Sequence, residues 1–171
     1  MIRTWTPESE EPKPQDSKAR AVRAWFEQLP KMRQRIHQQQ EHIEALRNAA
    51  ETTTAGMSGL PGRSGTSDKV GSNVDAVLDA EKQLSALCRE YAEMQKAAID
   101  TAYLLHADPA SIKRSRCITM CYVEGQTRAK AAKEVGYSDA RTVSTAISDG
   151  FRQLSEIWEA TPFCDSDDFA Q

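Results

Sequence analysis

The chain has 171 residues, a net charge of −3 and 39% hydrophobic side chains, which allows one modest domain or two small ones. Low apolar content with many Gln, Ala, Lys and Glu residues excludes a compact β fold as the expectation and favours helices with exposed sides. No apolar run approaches a membrane span and the start MIRTWTPESEEPKPQ has no basic-then-apolar signal pattern, so no membrane association is expected and the location reads as cytoplasmic.

Residues 1–16 are rich in Pro, Glu and Ser and read as a disordered N-terminus. From Ser17 a short amphipathic helix is predicted, with Ala21, Val22, Trp25, Phe26 and Leu29 on one side and Pro30 at its end or at the start of the next helix. From Lys31 to Ala50 the positions Met32, Ile36, Gln39, Ile43, Leu46 and Ala50 recur at alternating steps of four and three, a heptad seam with one polar layer. Residues 52–71 are dominated by Gly, Ser, Thr and Pro and read as a loop. A phosphate-binding loop is not expected there, because the GxxxxGK[ST] spacing is absent and no strand precedes it. Ser72-Asn73-Val74-Asp75 has the shape of a capping box and predicts the start of a second long helix. Its seam is Val77, Ala80, Leu84, Leu87, Tyr91, Met94 and Ala98. Two heptad helices around a loop predict an antiparallel hairpin, which a homodimer could extend.

Asp108-Pro109 opens another helix, with Ile112, Cys117, Met120, Cys121 and Tyr122 as its apolar side and Gly125 at its end. Thr127 to Leu154 then reads as two short helices around a tight turn. Thr127 is the expected N-cap, Ala131, Ala132 and Val135 form a small apolar face, Gly136 supplies the left-handed exit, and Tyr137 fills the corner. Ser138 is the expected cap of the second helix, whose inward stripe is Val143, Ala146, Ile147, Phe151, Leu154, Ile157 and Trp158. Arg141, Thr145, Ser148 and Arg152 fall on its outward face, with Thr142 and Ser144 at the flanks. This is the pattern of a helix-turn-helix, which packs closely behind and offers side chains to base edges in front. Double-stranded DNA is the expected partner. Arg141 is the expected base reader, Arg128, Lys130 and Lys133 the expected phosphate contacts, and Ser138, Thr142, Ser144, Thr145 and Ser148 additional contacts, each of these hydroxyls being otherwise an ordinary solvated residue. Charge supports the assignment: residues 109–148 carry seven basic side chains against three acidic, while residues 149–171 carry one against six. The acidic tail, 161–171, reads as disordered.

The four cysteines, Cys88, Cys117, Cys121 and Cys164, include no C-x-x-C pair. Reduced thiols are expected rather than a metal site, although Cys117, Cys121 and His106 are the conceivable ligands. His37, His42 and His106 assemble no catalytic constellation from local spacing, so neither an enzyme nor a bound cofactor is expected. The overall expectation is an all-α chain, a long hairpin followed by a small helix-turn-helix module, divided at 1–16, 17–107, 108–160 and 161–171.

The loop SGLPGRSGTSDKVGSNV between heptad helices, followed by RSRCITMCYVEGQTRAKAAKEVGYSDARTVSTAISDGFRQL, resembles phage-encoded transcription regulators of the RinA/ArpU kind, whose C-terminal part is similar to region 4 of bacterial sigma factors. The resemblance spans roughly Lys31 to Leu154. It implies binding to promoter DNA, engagement of host RNA polymerase and activation of late phage genes in a bacterial host cell. Ala131-Ala132 depart from the larger aliphatic usual at the first of these positions, and the second helix is poorer in Arg than in many relatives. Two other readings use the same segments: a small terminase subunit, in which the DNA-binding part usually comes first, and a structural coiled-coil adaptor, which would show no salt-sensitive DNA binding.

Overall fold

In the computed structural model, residues 14–55 and 67–157 are described, with side chains described over 17–51 and 73–157. Among them every regular element is helical: α1 (Pro14–Phe26), α2 (Gln28–Ala55), α3 (Ser67–Tyr103), α4 (Pro109–Ile118), continued by a π-helical turn over Thr119–Val123, α5 (Arg128–Val135) and α6 (Ala140–Glu156). The expected all-α class is therefore observed. No helix of the described residues is long and apolar enough to cross a membrane.

The chain forms two compact units. One is Gln28–Ala97, holding α2 and most of α3; the other combines α1 with the residues from Ala98 onward. In the hairpin unit, the buried and half-buried positions of α2 include Leu29, Met32, Ile36, Gln39, Ile43, Leu46 and Ala50, and those of α3 include Val77, Ala80, Leu84, Leu87, Tyr91 and Met94. From Met32 onward this is the predicted heptad seam; Leu29, expected on the preceding helix, lies in α2 instead. Hydrogen bonds cross it antiparallel: Arg33 Nη2 donates to Tyr91 Oη at 2.9 Å, Gln39 Nε2 to the Ala80 carbonyl at 3.1 Å, and Arg47 Nη2 meets Glu81 Oε1 at 2.6 Å. Gln39, the one polar layer, is thus satisfied by a backbone oxygen, as a half-buried amide must be.

Helix α3 begins at Ser67, so the predicted cap at Ser72-Asn73 lies inside a helix. The intervening Gly71 costs a helix only about 1 kcal/mol, which cooperative propagation from a long heptad repeat outweighs. Helix α2 likewise runs to Ala55, which leaves 56–66 of the expected loop outside the described residues.

In the second unit α1 joins α4, α5 and α6. Helix α1 begins at Pro14, inside the segment expected to be disordered, and packs on α6 rather than belonging with the hairpin. Val22 and Phe26 are fully buried. Phe26 meets Phe151 of α6 at 5.3 Å and Tyr122 of the π-helical turn at 6.0 Å, while Tyr122 and Phe151 lie 5.5 Å apart. Three rings from three elements close the core.

Asp108 caps α4 as expected, accepting from the amides of Ala110 and Ser111, with Pro109 in the first helical position. The buried face of α4 differs from the expected one: Ile112 is 43% exposed, whereas Ser111, Ser115 and Ile118 are buried. The serines tolerate burial because each hydroxyl is bonded, Ser111 Oγ donating to Asp108 Oδ2 at 2.6 Å and Ser115 Oγ to the Ala102 carbonyl at 2.7 Å. The π-helical turn is closed by the Glu124 amide donating to the Thr119 carbonyl, five residues back, and Gly125 at φ 71 ends the helix. Widening the turn brings Met120, Tyr122 and Val123 inward together. Helix α6 approaches α4 at Gly150, where a Cβ would stand 2.8 Å from Ile118 Cδ1.

If α1 is integral to this unit, Phe26→Ala should cost about 3–5 kcal/mol, as Phe151→Ala should. Urea denaturation followed by circular dichroism reads both. A Phe26→Ala variant with the wild-type midpoint would mean that α1 is dispensable to the core.

Candidate nucleic-acid interface

Helix α5 starts at Thr127, whose extended backbone (φ −71, ψ 149) lets Oγ1 accept from the Lys130 amide at 3.3 Å. It ends at Gly136, where φ 80 and ψ 36 are left-handed, and the amides of Gly136 and Tyr137 both donate to the Ala132 carbonyl. Ala131 and Ala132, with Val135, are buried beneath it. The side chains are small enough for α5 to lie close to α6. Tyr137 is half-buried at the corner, with Lys113 Nζ 5.6 Å from its ring centroid.

The cap of α6 is Asp139, not Ser138. Asp139 is extended (φ −156, ψ 168) and its Oδ1 accepts from the Thr142 amide at 2.7 Å and from Thr142 Oγ1 at 3.0 Å. The bond from the Thr142 amide is the main reason its carboxyl is held below the ordinary aspartate value of 3.8. Either residue could cap by type; the anionic one also complements the positive end of the helix. Ser138 is an exposed neighbour. With Asp139 as the cap, the Thr142 amide is given to its carboxylate.

Along α6 the two faces separate as predicted. Val143, Ala146, Ile147, Phe151 and Leu154 are buried, whereas Arg141, Thr145, Ser148 and Arg152 are exposed and Thr142 and Ser144 are intermediate. The inward stripe ends one turn earlier than expected, with Ile157 37% exposed; Trp158 lies outside the described residues. Hydroxyls on the outer face turn back to the helix: Ser144 Oγ donates to the Ala140 carbonyl, Thr145 Oγ1 to Arg141, and Ser148 Oγ to Ser144. These hydroxyls retain acceptor capacity and their apolar atoms, but their protons are in use.

The cations differ from one another. Lys130 faces Glu134 at 3.9 Å and Arg152 bonds Asp149 at 2.9 Å. Among the described residues no ion pair engages Arg128, Lys133 or Arg141, and all three are exposed. They are the side chains of this face best disposed to meet an external anion. The structure also adds a cation that sequence reasoning left out: Arg23 of α1 donates from Nη2 to Ser148 Oγ at 3.2 Å. No local pattern in residues 14–26 names their packing partner.

Two further arrangements bear on other chemistries. His106 Nε2 lies 3.2 Å from Ser115 Oγ, a pairing that the sequence did not foretell. Ser115 is buried and its proton is committed to the Ala102 carbonyl, so this geometry braces a turn rather than preparing a nucleophile. Burial pushes the Cys117 thiol up to about 11 and raises Cys121 as well, which keeps both protonated near neutrality. Among the described residues no group of three His, Cys, Asp or Glu side chains could hold a metal ion.

Comparison with protein-family models, with curated proteins and with solved structures finds no match to this chain.

Two outcomes follow from the corner. Space around Gly136 is open, so Gly136→Ala meets no clash and should cost about 1–2 kcal/mol from left-handed strain alone; Gly136→Asn should cost less, both read by thermal unfolding. Because the Asp139 pKa is lowered by folding, its contribution is complete above the ordinary aspartate value and is lost as pH falls through the lowered one. Asp139→Asn keeps the cap without the charge. Its stability relative to wild type should be constant between pH 5 and 8 and shift only below about pH 4, in urea midpoints measured against pH.

Proposed function

We propose that the unit formed by α1 and α4–α6 binds duplex DNA by laying α6 in the major groove. We propose further that the protein is a sequence-specific transcription regulator of the phage RinA/ArpU kind, activating late genes through promoter DNA and host RNA polymerase. The observation that carries the DNA-binding reading is the polarity of α6 behind a left-handed glycine corner. Its inward stripe is buried, while Arg141, Thr145, Ser148 and Arg152 remain exposed on the other side. The wider regulatory role rests on the resemblance in sequence.

In this reading Arg141, in the first turn of α6, pairs its guanidinium with guanine O6 and N7. Arg128 and Lys133 contact phosphates, and Lys130 joins them by exchanging its loose surface pairing with Glu134, an interaction worth little in water. Ser138, Thr142, Ser144, Thr145 and Ser148 contribute acceptors and van der Waals surface, since the last four already donate within the protein.

The test is fluorescence anisotropy with a labelled duplex from upstream of the gene, against one of mixed sequence. Arg141→Ala should weaken the upstream duplex by about 1–3 kcal/mol and the mixed one much less. Unchanged affinity and preference would remove Arg141 from its role. Binding that is absent, or indifferent to salt, would end the DNA-binding reading itself.

A further inference from the structure

We infer that α1 is part of the DNA-contacting surface: Arg20 and Arg23 grip backbone phosphate beside the groove that α6 occupies. This rests on the DNA-binding reading above and assigns to it a helix that lies outside the sequence resemblance.

Ser148 is where the two helices meet at the outer face. It stands seven residues after Arg141, so it lies two turns and about 10 Å further along the same stripe of α6. Arg23 Nη2 bonds its hydroxyl at 3.2 Å, and the Arg23 guanidinium carbon sits 5.9 Å from the Phe151 ring centroid. A long side chain that would otherwise sweep through solvent is thereby held against α6. Arg20 lies one turn earlier on the same side of α1. With Ala19, Ser148 and Phe151 the two arginines line an open cleft of about 360 Å³. Both arginines are exposed.

The row Arg141, Arg23, Arg20 therefore continues from one helix onto its neighbour across a fixed joint. Its chemistry is specific to an anion. A guanidinium has five donors in a planar fork, and the bond to Ser148 uses one Nη2 donor, so phosphate oxygens can be met by the others. Fixing Arg23 before binding lowers the entropy lost when the contact forms. Because phosphates carry no base identity, these residues should add affinity to every sequence and preference for none.

The experiment measures affinity of the full-length protein for the upstream and mixed-sequence duplexes over a potassium chloride series. Arg20→Gln/Arg23→Gln should reduce the slope of log affinity against log salt by about 2, equally for both duplexes, and Arg20→Lys/Arg23→Lys should restore it. Arg20→Gln alone, at an exposed side chain, should reduce the slope by about 1, so the test survives if the double variant is poorly folded. A wild-type slope in the Gln variants, with a reduced slope in Arg128→Gln/Lys133→Gln, would make α1 a brace only and leave the DNA-binding reading intact. No salt-dependent binding by the wild type would overturn both.

Discussion

The contact among Phe26, Tyr122 and Phe151 is the constraint on which the second unit depends. Its three rings come from α1, from the π-helical turn and from α6, with centroids 5.3 to 6.0 Å apart. Edge-to-face and tilted ring pairs contribute about 0.5–1.5 kcal/mol each beyond the area they bury. A helix of 13 residues is too short to hold its own shape in water, so α1 exists by virtue of this contact and the burial of Val22. In return α1 covers the back of α6 at Phe151. With its inner stripe packed, α6 has one orientation and its outer residues have fixed directions.

Regular periodicity was the most legible part of the chain. Heptad spacing located the seam of both long helices position by position, including the polar layer at Gln39, because nothing else in those segments competes with a repeat of three and four. The two faces of α6 were legible for the same reason. Gly136 was legible because a left-handed exit has few substitutes.

What the sequence hid has physical causes. The partner of α1 is a tertiary fact: an amphipathic stripe says that a face will be covered, not by which helix, and adjacency along the chain pointed to the hairpin. The run Cys117 to Val123 is apolar at nearly every position, so it could not announce the change of helical period that lets Met120, Tyr122 and Val123 share an interior. Ser111 and Ser115 were absent from the expected apolar side of α4 and Ile112 was on it, because burial of a hydroxyl is decided by an acceptor elsewhere, here the Asp108 carboxylate and the Ala102 carbonyl. Ser138 and Asp139 both suit a cap by type, and charge at a helix N-terminus decides between neighbours only when the backbone offers the site to each.

That last choice shapes how the face can bind. Helix N-termini commonly take phosphate on free amides, yet at α6 the Thr142 amide is already given to Asp139, whose negative charge also stands at the entrance of the helix. Approach of a phosphate there meets repulsion rather than welcome. In the proposed complex, phosphate contact is therefore assigned to side chains rather than backbone and to the flanks of the helix rather than its tip, to Arg128 and Lys133 on α5 and Arg20 and Arg23 on α1. Side-chain cations release counterions on binding, so the binding term they supply is sensitive to salt and blind to sequence. Under the proposed DNA-binding reading the tip, freed from holding the backbone, is left to Arg141. An aspartate at the cap would then weaken attachment at one point while separating gripping from reading across the surface.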